Sequence, residues 1–156
     1  MDEKLMQMIA AAAEDHALEP AIVYGICRQE SALNPLAIRF EPNYKWLWKP
    51  KEVKPQTCSL DTERALQKMS FGLMQVMGAV FRECGYKGWL TEIIAKPDIQ
   101  LSYGCKHLAK KIQKYGLERG ILAYNSGSPR KNSDGAYINQ YYLDNVMKFK
   151  AAFSDT

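Results

Sequence analysis

The sequence is poor in side chains that bind transition metals. Its two histidines, His16 and His107, stand far apart, and none of its four cysteines, Cys27, Cys58, Cys84 and Cys105, forms a CxxC pair. Neither set has zinc-ligand spacing, so no metal is expected. Long apolar runs are missing as well, since no stretch approaches the roughly 18 to 20 residues of a helical membrane span. The opening MDEKLMQMIAAAAEDHALEP has acids at both ends of its apolar part and no basic leader, so it reads as a helix and not as a signal peptide. Strand-like alternation is scarce, and no internal repeat or low-complexity tract appears.

What is present describes an ordinary globular chain. Its 156 residues suffice for one domain with a hydrophobic core and are too few for two ordinary ones. With 47% hydrophobic and 24% charged residues it is neither disordered nor membrane-like. The net charge of +4 suits an anionic polymer, cell wall or nucleic acid, without requiring one. With no secretion signal, and with Cys27 and Cys105 on apolar helix faces, the cysteines are expected to be reduced.

Periodicity predicts a mainly helical fold. Asp2 is a plausible N-cap for a helix carrying Leu5, Met8, Ile9, Ala12 and Ala13 and ending near His16. Pro20 opens a second, through Ile22, Val23, Ile26 and Cys27 to about Ser31, stopped by Asn34-Pro35. Residues 36 to 69, broken by Pro42, Pro50 and Pro55, read as a long ordered loop with a short helix from about Asp61 to Met69. SFGLMQVMGAVFREC is expected to turn through Gly72 into a helix carrying Met74, Met77, Val80, Phe81 and Cys84, closed by Gly85 and Gly88. Pro97-Asp98 begins a helix marked by Leu101, Cys105, Leu108, Ile112 and Tyr115, whose far side, with Lys106, Lys110, Lys111 and Lys114, is most simply a solvated face. Leu117 to Ser126 forms a helix capped by Gly127, and a last one follows from Tyr137 through Ile138, Tyr142, Val146, Phe149 and Phe153.

Within ICRQESALNP, Glu30 occupies the next position of an apolar stripe formed by Val23, Ile26 and Cys27. One reading is a helix-end carboxylate satisfied by Arg28 or Arg39. The other is an acid whose charged form is disfavoured by desolvation and by the carbonyl end of its helix, so that it keeps a proton near neutrality. Such a carboxyl group can protonate a leaving glycosidic oxygen. Glycoside chemistry ordinarily needs a second carboxylate, and none stands out. Glu41, Asp61, Glu63 and Asp98 are candidates by location, while a substrate N-acetyl group offers a one-carboxylate route.

Three ordered segments, ESALNPLA (Glu30 to Ala37), GLMQVM (Gly72 to Met77) and LAYNSG (Leu122 to Gly127), resemble the motifs of the soluble lytic transglycosylase family of the lysozyme superfamily, related to goose-type lysozyme. DIQLSYGCKHL and NQYYLDNV add flanking likeness, and the resemblance spans about residues 18 to 149. It implies a lysozyme-like, mainly α fold as a single domain over 1–156, with 40–69 as an inserted loop or subdomain. It also implies a peptidoglycan lytic transglycosylase that cleaves the bond between N-acetylmuramic acid and N-acetylglucosamine without water, giving 1,6-anhydro products. Glu30 matches the single catalytic acid and base, and Ser31 a residue holding that helix end. Gln75, Tyr124, Asn125 and Tyr142 match substrate-binding positions. Taken singly, Met74 and Met77 read as core, Asn125 as a helix terminator, and Gln75 and Tyr124 as buried polar groups.

The departures lie around the cleft. Arg39 stands where family members commonly have serine, Phe71 precedes Gly72 where small residues are common, and Phe40 to Met69 is inserted. Arg39, Tyr44, Trp46 and Trp48 are candidate cleft-wall residues, against the plainer reading of a tryptophan-anchored loop. The expected partner is the peptidoglycan glycan strand, acted on by a monomer with no cofactor, no nucleic acid and no membrane span. Action in the periplasm or cell wall without a signal peptide suggests phage delivery or a fragment of an exported protein. The alternatives are a muramidase that directs water to the anomeric carbon, and a non-catalytic module for cell wall or single-stranded nucleic acid.

Overall fold

The computed structural model describes residues 2–153. Its helices are α1 (Glu3–Asp15), α2 (Pro20–Ser31), α3 (Pro50–Val53), α4 (Leu60–Gln67), α5 (Gly78–Glu83), α6 (Pro97–Tyr115), α7 (Leu117–Ser126) and α8 (Gln140–Phe153), with a 3-10 helix at Leu90–Ala95. Strands β1 (Ile38–Phe40), β2 (Met69–Phe71) and β3 (Val76–Met77) form one antiparallel sheet in that order. Helix ends follow local chemistry. The Asp2 carboxylate accepts from the backbone N–H groups of Lys4 (3.0 Å) and Leu5 (3.3 Å), and the Ser59 hydroxyl accepts from that of Thr62 (3.1 Å). Gly116 (φ +86°) separates α6 from α7, and Gly127 (φ +84°) ends α7.

The chain divides into two compact units, one built from the chain up to Gln29 and from Cys105 onward, the other from Glu30–Gly104. In the first, Ile9, Ala13, Ile22, Val23, Ile26, Leu108, Ile121, Leu122 and Val146 are buried apolar residues. Gly25 allows α2 close to α8, because a Cβ there would lie 2.6 Å from the Val146 carbonyl oxygen. The Tyr24 and Phe153 rings sit 5.0 Å apart, and the Arg28 guanidinium lies 5.1 Å over Phe149.

In the second unit Phe71, Leu73, Met74, Phe81, Leu90, Ile93 and Leu101 are buried. The Phe81 ring contacts those of Phe71, Tyr86 and Tyr103 at 6.3, 6.2 and 5.6 Å. The expected helix through Met74 and Met77 is instead β2, a turn and β3, with the helix starting only at Gly78. Left-handed backbone at Gly72 (φ +72°) and Gln75 (φ +48°) rules out a helix there, and a two-residue strand is too short to show alternation. The pair Phe40↔Met69 closes the β1–β2 ladder, so residues 41–68 leave and rejoin the unit at one rung.

That excursion is tied down from inside. Glu63 of α4 and Arg82 of α5 form an ion pair with both side chains fully buried (Nε to Oε1 2.6 Å, a second nitrogen to Oε2 3.1 Å). The remaining guanidinium nitrogen donates to the carbonyls of Tyr86 (2.9 Å) and Gly88 (2.7 Å). Gln67, also fully buried, accepts from the Trp48 N–H (2.7 Å) and donates to the Trp48 carbonyl (3.0 Å). Helix α8 begins at Gln140, three residues later than the periodicity suggests, because Tyr137 bridges back to Lys131 and closes the polar loop.

Candidate active site

Glu30 is the penultimate residue of α2, half-buried, just beyond the buried stretch Ala21 to Cys27. Beside it the Ser31 hydroxyl donates to the Leu73 carbonyl at 2.9 Å, joining the C-terminal end of α2 to the GLMQ turn. Ala32 (φ +53°) and Leu33 (φ +64°) are both left-handed, so the chain turns sharply away after the acid. Such backbone is costly for non-glycine residues and recurs at functional sites.

Gln100 of α6, fully buried, holds three segments together. Its Oε1 accepts the Leu73 N–H (2.9 Å), and its Nε2 donates to the carbonyls of Pro35 and Ile93 (2.9 Å each). Gly72 is needed twice over: its φ is positive, and a Cβ would sit 2.0 Å from the Gln100 amide carbon. Gln75 braces the same turn. Its Nε2 donates to the carbonyls of Ala37 (3.0 Å) and Gly72 (2.9 Å), and its Oε1 accepts from the Ser70 hydroxyl (2.8 Å). Both amide hydrogens are thereby engaged, leaving a ligand one lone pair on Oε1. Met74 is fully buried against Gly104, a core residue as its type suggests. Sequence reasoning passed over Gln100 and Ser70, although Gln100 lies inside the DIQLSYG segment that carries part of the family likeness.

The candidate wall residues separate into two kinds. Trp48 is half-buried with its backbone clamped by Gln67, whereas Trp46 is 67% exposed, 5.5 Å from the Tyr44 ring in an edge-on pair, with Lys45 Nζ 5.3 Å over it. The Tyr44 hydroxyl is held neutral, its pKa raised by burial and by the charge of Glu83. Arg39 pairs with Glu41 at 2.9 Å on the surface.

In the other unit, Tyr124 and Asn125 lie in the last turn of α7. The half-buried Tyr124 ring packs 5.4 Å from His107, and Asn125 is exposed. Burial, reinforced by Lys111 and Lys110, pushes the His107 pKa down to about 4, so that ring is neutral at physiological pH. Tyr142 is 2% exposed, which leaves almost no surface for a sugar.

The chain is mainly helical with one small antiparallel sheet, which together with its family match gives it a lysozyme-like fold. The family model for the transglycosylase SLT domain matches residues 7–142, a span running from α1 to Tyr142, and the chain belongs to that family. Its function is therefore, in general terms, of the peptidoglycan lytic transglycosylase type. A search of curated proteins found no match.

Proposed function

We propose that this chain cleaves the β-1,4 bond between N-acetylmuramic acid and N-acetylglucosamine without water, with Glu30 as the only general acid and base. The Glu30 carboxyl protonates the glycosidic oxygen, and N-acetylglucosamine leaves. The carboxylate then takes the proton of the muramic C6 hydroxyl, whose oxygen bonds to C1 and closes the 1,6-anhydro ring. Glu30 ends protonated, ready for another cycle.

The observation that carries this reading is the locking of ESALNP to GLMQ around Glu30, through Ser31, Gln100 and Gln75. A carboxyl group on rigid backbone suits an acid that must meet one oxygen. Of the four acids considered as second carboxylates, buried Glu63 is committed to Arg82 and Glu41 is paired with Arg39, which leaves Asp61 and Asp98 as the residues a hydrolytic route would call on. Gln75, Tyr124 and Asn125 are assigned to the glycan by their motifs, Gln75 through Oε1 alone, and Tyr142 as a support acting from within the packing. Exposure makes Trp46, with Tyr44 beside it and Arg39 nearby in sequence, the proposed sugar platform, while Trp48 anchors the loop. The substrate places its action in the cell wall.

The test is digestion of purified sacculi, with mass spectrometry of the products. Wild-type protein should release anhydromuramic ends and folded Glu30→Gln none. Reducing ends alone would establish a hydrolase and sink the transglycosylase assignment, and Glu30→Gln retaining activity would remove Glu30 from the chemistry. Trp46→Ala should weaken glycan binding by about fivefold at unchanged stability.

A further inference from the structure

We propose that Asn139 is a positioning residue, locking the side-chain carbonyl of Asn125 so that Asn125 meets the glycan as a hydrogen-bond donor. The inference rests on the transglycosylase reading and adds the polarity of one of its contacts.

Asn139 immediately precedes α8 and is 4% exposed. Its Nδ2 donates twice into α7, to the Leu122 carbonyl (3.0 Å) and to Asn125 Oδ1 (2.9 Å). The Leu122 carbonyl can only accept, so it determines which end of the Asn139 amide faces α7. With Nδ2 on that side, Asn125 must present its oxygen inward, because two NH2 groups facing each other would repel. The Asn125 Nδ2 pair is therefore left on the outer side of an exposed residue. The arrangement is held against a cost. Asn139 Oδ1 is the one buried side-chain polar atom among the described residues with no hydrogen-bond partner. An amide that strands its own oxygen to keep both N–H groups on α7 is fastened there by those two acceptors.

Two outward N–H groups select acceptor oxygens, which an N-acetylated glycan carries as acetamido carbonyls, hydroxyls and glycosidic ethers. Asn139 touches none of these and acts only through Asn125.

A double-mutant cycle tests this on solubilised, uncrosslinked glycan strands. Asn139→Ala should lower turnover about tenfold when Asn125 is present and less than about twofold in an Asn125→Ala background. Equal losses in both backgrounds, or no loss in the first, would overturn the proposal. Asn125→Asp keeps an acceptor for Asn139 but replaces the outward donors with an acceptor. It should fold normally and lose as much turnover as Asn125→Ala, and wild-type turnover in it would equally overturn the proposal. If wild-type protein releases no product, the transglycosylase reading has failed, and side-chain amide NMR decides the positioning claim. N-acetylglucosamine oligomers should shift the Asn125 Nδ2 resonances in wild type and not in Asn139→Ala; no shift in wild type refutes it.

Discussion

His107 faces Tyr124 as an uncharged ring because burial and two lysines push its pKa to about 4. In the unfolded chain the same group titrates near 6.5. Between those values the unfolded state binds a proton that the folded state does not, so stability should fall as pH drops through this window. The loss is about 2 kcal/mol between pH 6.5 and 5. Denaturant unfolding across pH should show this slope, and His107→Gln should flatten it; an unchanged slope would place the acid sensitivity elsewhere. Glu30 stood out at this scale because a carboxylate on an apolar stripe violates periodicity, but it became the candidate acid only through the ordered motifs around it. Gln100 was not, since a glutamine in a helix has no pattern until its three partners, distant in sequence, are seen around it.

Among the elements, α4 is where burial and charge work together. Removing one member of a buried ion pair leaves the other uncompensated, so Glu63→Ala should cost about 3–5 kcal/mol. Because Gln67 of α4 also holds Trp48, the same variant should be nicked faster by protease within residues 41–59. Normal stability with unchanged proteolysis would show that the segment 41–68 is anchored otherwise. Helices α1, α2, α6 and α7 were readable to within about a residue, since proline, glycine and an N-cap acid mark their ends. The sheet was not. Its strands are two or three residues long, β1 is exposed throughout, and the helix-like spacing of Met74 and Met77 belongs to a turn and a strand.

Across the whole molecule, all four cysteines are buried and outside disulfides, as expected of reduced thiols, with Cys27 and Cys105 in one unit and Cys58 and Cys84 in the other. Burial, with a smaller contribution from Asp15, pushes the Cys105 thiol up to about 12. Native protein at pH 8 should therefore react negligibly with an aromatic disulfide reagent and release four equivalents once denatured. A prompt equivalent from native protein would mean that one unit opens readily. The sequence by itself determined the helical class and the family, and singled out Glu30 as the candidate acid, because periodicity, caps and short motifs are local in the chain. Tertiary structure alone decided that Gln75 spends its amide hydrogens on the turn, that Gln100 clamps three segments, that Trp46 and Trp48 have different surroundings, and which way Asn125 faces. Each of these depends on hydrogen-bond partners or burial contributed by residues remote in sequence, and no local pattern encodes them.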